Sequence, residues 1–371
     1  MDITLNEQQE MLRKSAKDFI TNRVPKKLVR DMESDPKGFV PELWQEMAGL
    51  GWMGLVFPEK FGGIDFSFLD LCVILEEMGR GAVPSPFFST VVMAGMLINE
   101  AGTDEQKAAY LPKISEGKLF GTVAMKESSG SANTSVVDTK AAGAGSDYVI
   151  SGTKFFIPDA HVANIIIVSA KTAGGVTLFI VDAATPSIKV TPMSTFSGDK
   201  QCVVEFNNVK VPAKNILGGL DKGAAVLEKF IPKAVIAKCA EMVGGFGAMF
   251  DMTLEYGKTR IAFTKPIGTF QALQVKFADM LADLESSRMM TYKSAWRITN
   301  GLPVDRLVPA TKAWVSEAFR RQTFVANQIH GAIGFTWDHD LQLFIRRAKT
   351  AEMLLGTPQE HRDRLAKALG L

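Results

Sequence analysis

The segment YGKTRIAFTKPIGTFQ, residues 256–271, decides how the chain is divided. It lies between two long segments whose apolar residues recur with helical spacing, and it contains a proline and two glycines. Such a pattern predicts the end of one helix, a short connection and the start of another helix. Arg260, Phe263 and Gln271 offer a permanent cation, an aromatic ring and an amide, which suit an anionic ligand with a flat end, such as a dinucleotide. A simpler alternative is that Arg260 only ends a helix by interacting with its dipole.

The composition is that of an ordinary globular protein. The chain has 371 residues, of which 46% are hydrophobic and 22% charged, enough for two or three domains around a substantial core. The net charge is +2 and basic residues are scattered among acidic ones, so the sequence indicates neither a nucleic-acid-binding stripe nor a polybasic membrane arm. No segment is apolar over the ~18 residues that cross a bilayer, and the charged amino terminus lacks the apolar core of a signal peptide. We therefore expect a cytoplasmic protein.

The cysteines and histidines do not form a metal-binding pattern. The three cysteines lie far apart and none belongs to a CxxC motif, which argues against a disulfide framework and a thiolate metal site. The four histidines lack HExxH or other ligand spacing, so we expect each of them to be structural or solvated. These residues are Cys72, Cys202, Cys239, His161, His330, His339 and His361.

The period of the apolar residues changes twice along the chain. Residues 1–118 have helical spacing. Residues 119–218 contain four short β-branched or aromatic runs separated by turn residues, which are DYVISGTKFF, NIIIVSA, GVTLFIVD and QCVVEFNNVKVP. Residues 219–371 are helical again, and Pro232 should break or kink the first of these helices unless the helix begins there. The predicted fold class is α+β, with a helical N-terminal domain, a central antiparallel β-barrel or sandwich domain and a C-terminal four-helix bundle.

Several motifs carry a resemblance to one family. Residues 256–271 resemble the Y-x-x-x-R-x-x-F-G-x-P-I-x-x-F-Q motif of the acyl-CoA dehydrogenase family, with Thr264 in place of the glycine. Residues 50–63 (LGWMGLVFPEKFGG) and 204–218 (VEFNNVKVPAKNILG) resemble other motifs of that family in the same order, so the resemblance covers essentially the whole chain. It implies a tetramer that desaturates an acyl-CoA substrate and passes electrons to an electron-transferring flavoprotein. It also implies FAD between the β-domain and the last bundle, with its adenosine end held by a neighbouring subunit.

The resemblance places no catalytic base in this chain. Desaturation next to a thioester requires a base for the α-proton and a flavin to receive the β-hydride. The family commonly supplies the base as the Glu of a Y-E-G-T element, which aligns with residues 354–357, LLGT, so that Leu355 stands at the base position. Other members place the Glu at a position that corresponds to Ala234, where Val235 replaces the Arg that usually follows. None of these side chains has a proton-accepting atom.

The segments that resemble flavin contacts are altered as well. The family's T-E-P-x-A-G-S-D segment aligns with residues 126–133, KESSGSAN, and two hydroxyl groups are lost. The W-I-T-N element, whose Trp and Thr contact the flavin ring, aligns with residues 156–159, FIPD. Pro158 offers neither a hydroxyl nor a backbone N–H at the position of the threonine.

The elements for the adenosine end are largely kept. QIHGAIG, residues 328–334, resembles the family's Q-x-x-G-G-x-G turn, with Ala332 for the second glycine; taken alone it also fits a helix C-cap. The resemblance implies that FAD is bound by Arg260, Phe263, Gln271, Gln328, Gly331 and Ala332.

A missing base beside a kept nucleotide site predicts a heterotetramer. In this interpretation the chain holds the adenosine and pyrophosphate end of FAD that sits in a related catalytic subunit. One alternative is a self-sufficient homotetramer with a displaced base, either Glu241 or Glu352, although we expect Glu241 to pair with a neighbour on its helix and Glu352 to be solvated. Another alternative is a non-catalytic acyl-CoA- or protein-binding module.

Overall fold

The computed structural model describes residues 4–130 and 133–371. The helices are α1 Glu7–Arg23, α2 Lys26–Ser34, α3 Pro41–Gly49, α4 Phe68–Gly81, α5 Met96–Ala101, α6 Asp104–Ser115, α7 Gly223–Thr259, α8 Gln271–Thr299, α9 Leu307–His330, α10 Leu341–Met353 and α11 Pro358–Ala368, with a π-helix at Phe88–Gly95 before α5. The strands are β1 Gly121–Ala124, β2 Lys140–Ala144, β3 Asp147–Pro158, β4 Ile165–Lys171, β5 Val176–Asp182, β6 Ile188–Met193, β7 Gln201–Pro212, β8 Ile216–Leu217, β9 Ile261–Ala262 and β10 Lys265–Pro266. The order of helices, strands and helices confirms the predicted fold class.

The chain divides into two compact units, each built from separate stretches of sequence. The first unit contains residues 1–31, 68–83 and 235–371, and the second contains residues 32–67 and 84–234. Helix α4, although it comes early in the chain, therefore belongs to the same unit as the C-terminal helices. None of the helices in the described part of the chain is long and apolar enough to cross a membrane.

Helix α4 is the central helix of the first unit. It passes so close to α7 that a Cβ at Gly79 would lie 1.9 Å from the backbone oxygen of Glu241, and a Cβ at Gly244 would lie 1.8 Å from that of Glu76. Only glycine permits such close contact between two helix backbones. Almost every residue of α4 is buried, and Glu76 accepts hydrogen bonds from the Arg288 Nε (3.0 Å) and the Tyr292 hydroxyl (2.7 Å) of α8. Its buried carboxylate is thus paired, as burial of a charge requires.

Helix α7 continues through Pro232, so the sequence-based expectations of a break at this residue and of a helix start there are both wrong. Helix α7 runs from Gly223 through Pro232 to Thr259, although proline cannot donate the usual hydrogen bond to the preceding turn. The residues around it, Phe230, Ile231, Ala234 and Val235, are all buried. Apolar packing of this segment outweighs the loss of one backbone hydrogen bond.

The sheet of the second unit is open rather than a closed barrel. Its strand order is β6-β7-β3-β2-β4-β5-β8, and β1 pairs in parallel with β4 at the side. Most neighbours are antiparallel, as predicted, but β2 also touches β4 through one parallel pair, Lys140 with Lys171. The core lies on β3, β4, β5 and β7, whose inward residues include Ile150, Val168 and Phe179. Strands β1, β2, β6 and β8 were not predicted.

Candidate functional site

The segment that decides the fold forms a tight hairpin between α7 and α8. Strands β9 and β10 pair through Ala262 with Lys265 and Ile261 with Pro266, which leaves Phe263 and Thr264 as the two turn residues. Both turn residues have positive φ, 50° and 70°, the conformation of a type I′ turn. Glycine adopts this conformation freely, whereas a β-branched residue such as Thr264 is strained in it. Thr264 therefore adopts a backbone conformation that a glycine would take without strain.

The hairpin presents two of the predicted site residues to solvent. Phe263 is 86% exposed, and its ring meets the edge of Phe270 at 6.2 Å between centroids. Lys265 lies over the other ring, with its Nζ 4.6 Å from the centroid of Phe270. Arg260 is exposed, and no hydrogen bond or ion pair with a residue of the described ranges engages its guanidinium. Its charge is available to an anion.

The end of α9 lies beside this hairpin. The ring of Tyr256, at the end of α7, stacks on His330 with 4.5 Å between centroids, and its hydroxyl donates to the His330 carbonyl at 3.4 Å. At the start of α8, Gln271 is exposed and Lys276 donates from its Nζ to the side-chain oxygen of Gln328. The structure thus brings the end of α7, the start of α8 and the end of α9 together, and the hairpin connects the first two.

His330 is fixed within this arrangement by a hydrogen bond to its own helix. Its Nδ1 lies 2.9 Å from the carbonyl of Ala326, and a carbonyl only accepts, so Nδ1 carries the proton. Burial lowers the pKa of His330, and the neighbouring His339, at 4.9 Å between ring centroids, lowers it further. The prediction of structural histidines holds here.

Gly331 and Ala332 form the turn that follows α9. Gly331 has φ 66° and its N–H donates to the carbonyl of Asn327, so it caps the helix, as the simpler interpretation predicted. Ala332 is exposed within a short 3₁₀ segment, where its methyl group meets no crowded surface. The cap and a ligand-binding role for the turn are compatible, because a cap leaves the outward N–H groups of the next residues available.

Three apolar side chains beside this turn escaped sequence analysis. Ile333, Phe335 and Trp337 are 48%, 70% and 67% exposed. Trp337 stacks on the guanidinium of Arg346 at 4.5 Å. Exposed aromatic residues grouped in one place are unusual on a free surface and indicate a binding surface. The signal that was available in the sequence was an aromatic-rich run directly after a glycine turn.

Leu355, which the resemblance aligns with the catalytic base of the family, lies in a loop that is held from several sides. Its φ is 61°, a left-handed conformation that is costly for a leucine. The Nε2 of His361 lies 3.0 Å from the Leu355 carbonyl, and Thr357 caps α11 through Glu360. Burial lowers the pKa of His361 to about 4, so this ring is neutral near pH 7 and donates to the carbonyl from Nε2. We call residues 354–357 the 355 loop.

A buried lysine, which sequence analysis did not single out, supports the helix end before this loop. The Nζ of Lys312 on α9 donates to the carbonyl of Ala351 at 2.6 Å, to that of Glu352 at 3.3 Å and to the Ser316 hydroxyl at 3.1 Å. The side chain is fully buried, and burial lowers the pKa of Lys312 to about 8. In sequence a lysine on an amphipathic helix looks like a surface residue, so nothing pointed to this role.

The two alternative bases are engaged in ion pairs. The carboxylate of Glu241 lies 2.6 Å from the Nζ of Lys238, three residues earlier on α7. The expectation that Glu352 is solvated is wrong, because its side chain is only 9% exposed and lies 3.3 Å from the Nε of Arg320 and 3.0 Å from the Nζ of Lys349. It occupies the face of α10 that packs against α9.

In the second unit, the 126–133 segment begins with a buried ion pair. Glu127 receives the Nζ of Lys154 at 2.6 Å and the backbone N–H groups of Asp138 and Thr139 at 2.5 and 2.9 Å. These donors lower the pKa of Glu127 to about 2 although burial opposes them. Sequence analysis missed this pair. Ser131 and Ala132, which align with a glycine and a serine of the family motif, lie outside the described residues.

The 156–159 segment follows at the end of β3. Phe156 is 48% exposed at φ 56°, and the carbonyl of Pro158 accepts the Thr122 hydroxyl at 2.6 Å. Asp159 accepts the Ser89 hydroxyl at 2.5 Å. The segment is therefore fixed, but at position 158 it has no N–H or hydroxyl to donate outward.

The remaining chemistry-bearing residues offer no second site. In the described part of the chain, no group of three or more His, Cys, Asp or Glu residues has the arrangement of a metal site. Cys72, Cys202 and Cys239 are free and buried.

Comparison with family models matches nearly the whole chain. Residues 6–118 match the N-terminal domain of acyl-CoA dehydrogenase, residues 122–209 the middle domain and residues 221–370 the C-terminal domain.

Individual relatives agree with these matches. A probable acyl-CoA dehydrogenase of Bacillus subtilis, YngJ, is 30% identical over 100% of both chains. The structure of butyryl-CoA dehydrogenase from Megasphaera elsdenii superposes with a TM-score of 0.94 at 28% identity and covers 100% of both chains. A chain of the ChsE4-ChsE5 complex from Mycobacterium tuberculosis superposes with a TM-score of 0.92 at 27% identity, covering 100% of this chain and 99% of that one.

Proposed function

The chain belongs to the acyl-CoA dehydrogenase family, and from this premise we propose that it is the subunit that holds the nucleotide end of FAD bound by a related, base-bearing subunit. The family activity is oxidation at the CH–CH group of an acyl-CoA thioester with FAD as cofactor. The observation that carries the proposal is a contrast within this chain. An apolar residue, Leu355, stands at the base position, whereas the residues that resemble the nucleotide site are exposed and largely kept.

The base position gives the first line of support. FAD supplies a hydride acceptor when it is bound, and a side chain of the protein must remove the proton from the neighbouring carbon. Leu355 has no atom that accepts a proton, and the other position used in the family holds Ala234, which is fully buried. Glu241 and Glu352 are paired with basic residues, so neither is a free carboxylate poised to act as a base.

The residues that resemble flavin-ring contacts do not fit the ring. The ring edge needs hydrogen-bond donors, and Pro158 provides none. Its carbonyl is already bound to Thr122, and Phe156 stands where the motif has tryptophan. We therefore assign no chemical step on a flavin ring to this chain.

The residues for the nucleotide end fit their ligand. The guanidinium of Arg260 is exposed and suits a pyrophosphate, which it can hold with two parallel hydrogen bonds. Phe263 offers an exposed ring face for stacking. The remaining members of the cluster are the exposed amides of Gln271 and Gln328 and the backbone of the turn Gly331–Ala332. All of these residues belong to the first unit.

A heteromer reconciles the two sets of residues. In the proposed assembly, this chain contributes the nucleotide cluster to a partner that carries the base, the flavin pocket and the acyl-CoA tunnel, and an electron-transferring flavoprotein reoxidises the complex. The similar chain from Mycobacterium tuberculosis was solved as a complex of two differently named proteins, which supports an arrangement of unlike subunits.

Flavin stoichiometry tests the proposal. The full chain is purified alone and as the complex recovered from its native cells, and FAD content and acyl-CoA-dependent dye reduction are measured in both. We expect the chain alone to hold little FAD and to be inactive. The complex should contain FAD, and Arg260→Ala should release it, whereas Arg13→Ala on the surface of α1 should not.

Other outcomes identify the alternatives. Full FAD occupancy with turnover in the chain alone would establish a self-sufficient enzyme, and loss of that turnover in Glu241→Gln or Glu352→Gln would identify the base. A chain that carries no flavin and has no flavin-bearing partner would be a non-catalytic binding module. Either result overturns the heteromer.

A further inference from the structure

A lysine on α8 sets the orientation of one amide in the nucleotide cluster. The Nζ of Lys276 donates to the side-chain oxygen of Gln328, in the last turn of α9. A lysine ammonium only donates, so it can bind the amide oxygen and not the amide NH₂. With the oxygen engaged, the NH₂ group of Gln328 is the part of the amide left for a ligand.

This lysine is not engaged in an ordinary ion pair. Lys276 is partly buried, and among the residues that the structure describes no carboxylate lies within ion-pair distance of its Nζ. Gln328 itself is exposed and lies three residues before Gly331, so its amide reaches the surface beside the turn. The contact therefore joins the start of α8 to the outward-facing end of α9.

We propose that Lys276 is a positioning residue that holds the Gln328 amide with its NH₂ group outward, so that the nucleotide cluster offers a hydrogen-bond donor there and selects an acceptor atom of the ligand. This inference rests on the proposed nucleotide-binding function. The acceptor is either a phosphate oxygen or a ring nitrogen of the base, and both accept from an amide. In the absence of Lys276, the amide turns freely and presents its oxygen part of the time.

Reversing the charge at position 276 should turn the amide around. A carboxylate accepts only, so in Lys276→Glu the NH₂ group of Gln328 faces residue 276 and its oxygen faces the ligand. The oxygen then repels the acceptor that the NH₂ group bound before. Lys276→Met removes the orienting donor without reversing it, and Lys276→Arg keeps a side chain that only donates.

Binding of ADP to the full chain, measured by isothermal titration calorimetry, tests the inference. One hydrogen bond of this kind corresponds to about a 3- to 10-fold change in affinity. We expect Lys276→Met to weaken ADP binding by roughly 3-fold and Lys276→Glu by roughly 10-fold or more. Lys276→Arg should bind like the unaltered chain.

Lys265 provides a matched control for charge. It belongs to the neighbouring hairpin and lies over Phe270, and it makes no contact with Gln328. Lys265→Glu changes the net charge as Lys276→Glu does, so any weakening that they share is general repulsion of the diphosphate. The additional loss of ADP affinity in Lys276→Glu, beyond the loss in Lys265→Glu, is the contribution of the amide. It must disappear when both substitutions are compared in a chain that already carries Gln328→Ala.

Two further ligands identify the acceptor. If the NH₂ group donates to a phosphate oxygen, Lys276→Glu weakens the binding of inorganic pyrophosphate as much as that of ADP and leaves the binding of adenosine unchanged. If it donates to the base, the binding of adenosine is weakened and the binding of pyrophosphate is not. Both patterns support the positioning role.

Failure of this inference differs from failure of the proposed function. If ADP binds and Arg260→Ala abolishes that binding, yet Lys276→Glu weakens ADP equally with Gln328 present or replaced by alanine, then Lys276 does not act through the amide and the inference is wrong. If the unaltered chain does not bind ADP, or binds it independently of Arg260, the inference about Lys276 is wrong. If, in addition, Arg260→Ala does not release FAD from the complex, the proposed function is overturned as well.

Discussion

Replacing Lys312 by methionine should change how stability depends on pH. The Lys312 ammonium is fully buried, and burial lowers the pKa of this group from its usual 10.5 to about 8. Between these two pH values the unfolded chain keeps a proton that the folded chain has released, so the free energy of unfolding rises with pH in this window. The contribution of Lys312 to the free energy of unfolding changes by about 3 kcal/mol across this window. The stabilisation is complete above pH 10.5 and is lost as the pH falls to 8.

Lys312→Met removes the titrating amine and also the hydrogen bonds that the amine donates. The carbonyls of Ala351 and Glu352 lose their donor, and a buried carbonyl without a partner costs about 1–3 kcal/mol. At neutral pH this loss is partly offset, because the variant no longer buries a charge. At pH 10.5 nothing offsets it. The unaltered chain should therefore gain about 3 kcal/mol over Lys312→Met between pH 8 and 10.5.

Urea unfolding of both proteins at several pH values between 7.5 and 10.5 measures this difference. The neighbouring thiol of Cys239, whose pKa burial raises to about 12, lowers the stability of both proteins above pH 9 and so largely cancels in the comparison. Parallel stability curves for the two proteins would refute the reasoning, since Lys312 would then carry the same charge in the folded and unfolded chains. Lys312→Arg, which keeps the charge at every pH used, serves as a control.

Three further predictions concern the loop, the turn and the base position. Thr264→Gly should raise the free energy of unfolding by about 1 kcal/mol, because glycine adopts the left-handed turn without strain; unchanged stability in thermal unfolding would contradict this. Burial keeps the ring of His361 neutral in the folded chain, and this contributes stability that is complete above pH 6.5 and is lost as the pH falls towards its folded pKa of about 4. The loss is about 2–3 kcal/mol. His361→Gln should lack this loss when the free energy of unfolding is measured at pH 7 and 4.5. Leu355→Glu should leave the chain alone without FAD and without acyl-CoA-dependent dye reduction, because Pro158 still gives the flavin ring no donor; activity in this variant would show that the base was the only missing group.

Helical periodicity predicted the C-terminal region closely. Helix α8 begins at Gln271 and α9 ends at His330, next to the residues that the Pro/Gly connection and the glycine turn had marked. These signals are local, so they are visible in the sequence. The long strands β3, β4, β5 and β7 were also predicted, because each is rich in β-branched or aromatic residues.

Features that depend on packing were not predicted. Strand β2, KAAGA, is mostly exposed, and β6 contains a proline, so neither carries the usual pattern. The burial of Lys312 and Glu352 depends on which helices pack together, and a charged residue on a helix normally indicates a solvated face. For the same reason, the sequence identified Gln328 but not the lysine that orients it.

The buried pair of Glu127 and Lys154 bears on how such a chain can change. This pair, together with the N–H groups of Asp138 and Thr139, fixes the start of the connection that leads into residues 128–133. Substitutions at the exposed residues 128–130 therefore leave the Glu127–Lys154 pair intact, so this surface can change while the domain continues to fold. The same anchor makes the reverse experiment practicable, since serine, threonine and glycine can be reintroduced there one at a time on an unchanged framework.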